Sequence, residues 1–175
     1  MQIDPRYPIG KFEKSMTVTK EIRGDCIKTI ETLPSQLRKA VENLSEQQLD
    51  TPYRKGGWTV RQVIHHLPDS HINAYVRFKL ALTETNPTIK TYEEHLWAEL
   101  PDTFKTPIDV SLTLLESLHA RWAVLLRSLI DEQLEKTFQH PEWRDITLDK
   151  TLALYAWHSK HHLAHITELK KKMGW

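Results

Sequence analysis

Thr59-Val60-Arg61-Gln62-Val63-Ile64-His65-His66-Leu67 opens the segment whose pattern decides the fold. Thr59 and Gln62 stand at capping-box spacing: the hydroxyl takes one free backbone N–H of a helix start, and the amide reaches back to another. Beyond them Val60, Val63, Ile64, Leu67, Ala74, Tyr75, Phe78 and Leu82 recur at three- and four-residue steps up to Asn86-Pro87. Apolar residues at that period share one face of a helix, so the segment reads as a long amphipathic helix. Gly56 and Gly57, directly before it, read as a turn.

Working outward, the same period appears in three more segments. From about Lys20 to Leu44 it is carried by Ile22, Ile27, Ile30, Leu33, Leu37, Val41 and Leu44, with Pro34 expected to kink or divide the helix. From Asp109 to about Leu129 it follows Thr106-Pro107-Ile108, read as an N-cap threonine with proline at the first helical position. From about Thr147 to Met173 it is carried by Leu148, Leu152, Tyr155, Ile166, Leu169 and Met173, with Gly174 placed to end the helix. No alternating strand pattern competes, so the fold class is all-α, a four-helix bundle. About twenty residues, Pro87 to Ile108, join the second helix to the third, more than an antiparallel hairpin needs. That length predicts a long crossover between parallel neighbours.

The composition bounds the function. With 175 residues the chain is expected to be a single domain, 1–175, with residues 1–19 as an N-terminal arm. Lysine plus arginine (24) nearly balances aspartate plus glutamate (23), so no basic field is available to gather phosphates; nucleic acid and anionic membranes are not expected partners. Met1 to Lys20 lacks the apolar run of a signal peptide, and no stretch has the length of a membrane span, so a cytoplasmic location is expected. The single cysteine, Cys26, excludes an internal disulfide and any cysteine-rich zinc site and reads as an ordinary helix residue.

Histidine is the anomaly: of ten, three fall at 65, 66 and 71 and four at 158, 161, 162 and 165. Each helical residue turns about 100 degrees, so the apolar stripe marks the core direction. Against that stripe His71 reads as a core histidine. His66 lies on its border in a polar row with Gln62, Ser70, Asn73 and Arg77, and His65 points the opposite way. On the last helix His158 and His162 form an i, i+4 pair on the core border, two imidazoles one turn apart that can share an ion. His161 and His165 have the same spacing but point further from the core.

Three neutral imidazoles with an open position, His66, His158 and His162, are the donor set expected of a catalytic zinc; nickel would also accept it. The reactive group is then metal-bound water, whose pKa drops to about 7 on zinc. Asp69 and Asn73, a turn or two from His66, are candidates to orient a ligand ring or that water. Trp157 lies off its helix's apolar stripe and reads as a possible dimer contact.

Gly57-Trp58-Thr59-Val60-Arg61-Gln62-Val63-Ile64-His65-His66-Leu67, continuing through Asp69-Ser70-His71-Ile72-Asn73, resembles the first metal motif of the DinB-like superfamily. The branch it resembles is that of the YfiT-type metal-dependent hydrolases and bacillithiol transferases of Bacillus. Tyr155-Ala156-Trp157-His158-Ser159-Lys160-His161-His162-Leu163-Ala164-His165-Ile166 is similar to the second motif of that branch, a His-x-x-His-His core whose first and last histidines are ligands. The resemblance runs from about Ile3 to Lys172 and places the ligands on the same His66, His158 and His162. It implies an up-down-down-up bundle, one zinc or nickel ion per subunit, a homodimer, and a small-molecule substrate. The implied activity is hydrolysis, with bacillithiol-dependent S-transfer to an electrophile as the alternative on the same site. A metal-binding, stress-related module without turnover is the reading outside enzyme chemistry.

Overall fold

The computed structural model describes residues 4–175; the first three residues of the expected arm lie outside them. The four long helices are α1 (Lys20–Val41), α3 (Val60–Thr83), α6 (Ile108–Ser128) and α8 (Leu148–Met173). Between them lie single helical turns, α2 (Glu46–Leu49), α4 (Glu94–Trp97), α5 (Pro101–Lys105) and α7 (Asp131–Leu134), and a hairpin of β1 (Thr137–His140) and β2 (Arg144–Thr147).

Side-chain pairs fix the direction of every neighbour. At the starts of α1 and α8, Arg23 pairs with Asp149 at 2.9 Å, and at their ends Lys170 Nζ donates to the Ala40 carbonyl at 2.6 Å, so these helices run parallel. His65 against Ser111 and His71 against His119 make α3 parallel to α6. Arg38 with Asp109 and Arg127 with Glu31 make α1 antiparallel to α6. Arg77 against Tyr155 and His66 against His158 make α3 antiparallel to α8. The bundle is therefore up-down-down-up, and the crossover from α3 to α6, which contains α4 and α5, spans the bundle's length.

Local chemistry accounts for the helix limits. Thr59 accepts from the Gln62 N–H while the Gln62 side chain accepts from the Thr59 N–H, the reciprocal cap expected from sequence. Thr147 caps α8, and Gly174 closes it in the left-handed region at φ 73°. Three expectations are corrected. Pro34 does not divide α1, which runs unbroken to Val41; a proline removes only its own N–H, and the stranded carbonyl finds another donor, described below. Pro107 occupies the cap position of α6 rather than its first turn, and Thr106 ends α5 instead of capping α6. The β1–β2 hairpin, Thr137 paired with Thr147 and His140 with Arg144, was not expected at all.

The core is in two parts. One apolar cluster holds Ile30, Phe78, Trp122, Leu126, Leu148 and Leu152; the other holds Leu37, Val63, Leu67, Leu115, Ile166 and Leu169. Between them, at mid-bundle, His71 on α3, His119 on α6 and His158 and Ser159 on α8 form a polar layer, three of them buried and His158 partly so. A polar layer across an apolar core costs stability unless its groups are hydrogen-bonded. The three histidines are bonded to one another, Ser159 donates to the Tyr155 carbonyl of its own helix, and the layer ends at the candidate centre. Among the described residues no helix is long and apolar enough to cross a membrane.

Candidate metal centre

His66 comes from the second turn of α3, and His158 and His162 from successive turns of α8, so antiparallel packing of these helices brings the three rings together. One ring nitrogen from each lies within 4.8 Å of the others. His66 Nε2 and His158 Nε2 face each other at 3.3 Å. Zinc–nitrogen bonds of about 2.0–2.1 Å in tetrahedral geometry place two ligand nitrogens roughly 3.3 Å apart. Burial pushes His66 down to about 4 and, with help from neighbouring imidazoles, drives His158 and His162 well below the ordinary histidine value. All three are therefore neutral at pH 7 with lone pairs to offer, and the donor set fits a late divalent ion.

Behind His158 a chain of imidazoles continues into the core. His158 Nδ1 meets His71 Nε2 at 3.1 Å, His71 Nδ1 meets His119 Nε2 at 2.8 Å, and His119 Nδ1 meets the Ile30 carbonyl at 2.6 Å. His71, expected as a core histidine, is fully buried as expected, and its partners are His119 and His158. His119 was missed by sequence reasoning, although its spacing in Leu115-x-x-x-His119-x-x-Trp122 sets it in the apolar stripe of α6. On the other side of the three-histidine group, His162 Nδ1 faces His165 Nδ1 at 3.4 Å.

The remaining site expectations divide. Asn73 donates to the Asp69 backbone carbonyl, and neither residue is among those lining the two cavities at the histidines; the Nδ1 atoms of His158 and His162 meet His71 and His165. The Asp69 carboxyl is raised to about 6 by burial and then by nearby Asp102. His65 does point away from His66, yet it is buried, with Nδ1 at 2.7 Å from Ser111 Oγ where α6 begins. His161 and His165 are also buried rather than outward, because the N-terminal segment and the α2–α3 loop cover that flank of α8. Tyr53 stacks on His165 with ring centroids 3.9 Å apart, and Trp157 stacks on His161 at 4.5 Å. His161, His162 and His165 form a second group with ring nitrogens within 4.8 Å. Trp157 is held within the chain: its indole N–H donates to the Gly10 carbonyl at 3.2 Å and Phe12 packs on it.

Two cavities meet at the centre. One of about 420 Å³ is lined by Arg6, Tyr7, Tyr53, Arg54 and Trp58 together with His66, His158 and His162. The other, of about 380 Å³, is lined by Ser70, Arg77, Tyr92, His140, Tyr155 and His158. Glu94 and His158 line both. Glu94 lies in the crossover, and desolvation raises its carboxyl above the usual range.

A family model described as the DinB superfamily matches residues 29–166, a span that contains all three histidines of the centre. The chain belongs to the DinB superfamily. A relative from Bacillus cereus (strain 03BB102), named "Putative metal-dependent hydrolase", is 59% identical over 172 residues, covering 98% of this chain and 99% of the relative. One from Bacillus thuringiensis subsp. konkukian (strain 97-27), named in the same way, has the same identity and coverage. Among solved structures, YfiT from Bacillus subtilis, described as a probable metal-dependent hydrolase with an unusual four-helix bundle topology, superposes with a TM-score of 0.94. It has 51% identity and covers 98% of each chain. TT2238, described as a four-helix bundle protein, is 19% identical with a TM-score of 0.57 over 81% of this chain and 94% of its own, a likeness of fold alone.

Proposed function

We propose that this member of the DinB superfamily is a metal-dependent hydrolase of a small-molecule substrate, with one zinc or nickel ion held by His66, His158 and His162. The observation that carries the reading is the convergence of three neutral imidazoles, two buried and His158 partly so, from two helices on the wall of an open cavity. An ion bound there supplies a Lewis-acid centre with an exchangeable position, able to lower the pKa of water to about 7 and to polarise a substrate carbonyl. Tyr53 and Trp58 wall the cavity with aromatic rings, and Arg54 offers a cationic edge to a polar substrate. Glu94, whose carboxyl is raised by desolvation, holds or takes up the proton that hydrolysis moves. The relatives named as metal-dependent hydrolases support the class of reaction.

Thiol transfer is the second reading, and the meeting of two cavities at Glu94 and His158 favours it. Transfer of a thiol such as bacillithiol to an electrophile needs room for two organic substrates, whereas hydrolysis needs room for one. Incubating the zinc- or nickel-loaded protein with ester and amide panels, and separately with bacillithiol plus an electrophile, followed by mass spectrometry of products, tests both. Metal-dependent hydrolysis products are expected. Metal-dependent thiol adducts alone would replace hydrolysis by transfer, and neither product with a fully loaded protein would leave the chain a metal-binding module without turnover.

A further inference from the structure

Pro34 and His119 lie on different helices, and neither touches the three-histidine centre, yet the chain of hydrogen bonds joins them to it. In an α-helix the carbonyl of residue 30 is the partner of the N–H of residue 34. Proline has no N–H, so Pro34 leaves the Ile30 carbonyl without its helical donor in the middle of α1. Ile30 is fully buried, and a buried carbonyl left unpaired is costly. The His119 ring fills the vacancy, with Nδ1 at 2.6 Å from the Ile30 oxygen.

A carbonyl can only accept, so His119 must carry its proton on Nδ1. A neutral imidazole has a single N–H, which leaves His119 Nε2 as an acceptor and obliges His71 to donate from Nδ1 across 2.8 Å. His71 Nε2 is then the acceptor for His158, which donates from Nδ1 across 3.1 Å. The His158 proton is thereby fixed on Nδ1, and its Nε2, the nitrogen that faces His66, keeps a lone pair.

We infer that His119 is a positioning residue for the metal centre. Acting through His71, it selects the nitrogen that His158 presents, and the carbonyl freed by Pro34 gives the chain its direction. The inference rests on the proposed ligand role of His158 for its effect on the ion, whereas the proton positions of His119 and His71 follow from the core alone.

The test is two-dimensional 15N–1H spectroscopy of the imidazole rings in wild-type protein, metal-free and zinc-loaded, together with zinc affinity by chelator competition in His119→Gln and His119→Leu. His119 and His71 are expected in the Nδ1–H form in both wild-type samples, with His158 bound through Nε2 on loading. Glutamine keeps the required polarity, its amide donating to Ile30 and its oxygen accepting from His71, so His119→Gln is expected to bind zinc within about threefold of wild type. His119→Leu leaves His71 without an acceptor and is expected to weaken zinc by roughly 10- to 100-fold, the range for losing an outer partner of a ligand histidine. Either His119 or His71 in the Nε2–H form would overturn the inference without any variant. So would His119→Leu binding zinc as tightly as wild type. Wild-type protein that binds no divalent ion while showing both Nδ1–H forms would sink the metal assignment and leave the direction of the core chain standing.

Discussion

A Cβ placed on Gly57 would stand 2.6 Å from Cγ of Arg54 and 3.2 Å from Cζ of Tyr53. The glycine is required for close approach, since it lets the α2–α3 loop fold its two large side chains onto the mouth of the cavity. Arg54 and Tyr53 both line that cavity, and Tyr53 stacks on His165. Gly57→Ala must push one of them away, and overpacking of this kind costs about 1–3 kcal/mol. Urea unfolding is expected to show a loss in that range, with zinc content unchanged because no ligand moves. An unaltered denaturation midpoint would show that the loop gives way freely.

Stability should fall steeply in mild acid once the metal is removed. Burial holds His66, His119, His161 and His165 near 4 in the folded chain, against about 6.5 for unfolded histidine. Between these values the unfolded state binds more protons, so stability is full above about pH 6.5 and is lost as pH falls towards 4. Asp69, raised to about 6, works in the opposite sense, because its folded carboxyl takes up a proton that the unfolded one does not. Each net proton is worth about 1.4 kcal/mol per pH unit. Urea unfolding of chelator-treated protein at pH 7.5, 6.5 and 5.5 is expected to show a slope of more than one proton between the lower two values. A flat profile would contradict the burial of these rings.

The fold was legible because long helices repeat their pattern many times: Val60 to Leu82 supplies eight apolar positions in register, and both caps of α8 are written in Thr147 and Gly174. The hairpin was not, because β1 and β2 have four residues each, too few for alternation to stand out from chance. His66, His158 and His162 could be selected by wheel because their orientation is set by the packing of their own helices. His161 and His165 were misjudged for the complementary reason. A wheel knows only its own apolar stripe, and groups that cover these rings, Tyr7 of the arm beside His161 and Tyr53 stacked on His165, come from outside the helix. His119 stood alone on its helix, and only the proline four residues beyond its partner carbonyl marks what it does.

Arg61 is the anchor that joins the start of α3 to α2. Its side chain is 8% exposed and bonds Asp50 at 2.7 Å and Glu46 at 2.5 Å, partners that are themselves largely in solvent. The arginine rather than the carboxylates carries the energetic weight, because it alone is desolvated and loses its partners if they are removed. Asp50→Ala is expected to destabilise by about 1–3 kcal/mol, since it strips a bond from a buried cation, and Glu46→Ala by less because its carboxylate is the more exposed. Thermal unfolding of the two single variants checks the order, and a larger loss in Glu46→Ala would reverse the assignment.

Two groups of three histidines satisfy the same 4.8 Å condition, and they differ in what an ion would do to the fold. His161, His162 and His165 all belong to α8, so an ion held by them would tie one helix to itself. His66 belongs to α3, so an ion held by His66, His158 and His162 ties two antiparallel helices together across the middle of the bundle. Binding to the folded state alone stabilises by RT ln(1 + [L]/Kd), about 4 kcal/mol at a thousandfold excess over Kd. Zinc should therefore raise the melting temperature of wild type and of His161→Ala by similar amounts. His66→Ala and His158→Ala should lose most of that rise along with the bound zinc measured by elemental analysis. A zinc-induced rise that survives in His66→Ala but vanishes in His161→Ala would move the ion onto α8 alone and make the interhelical site wrong.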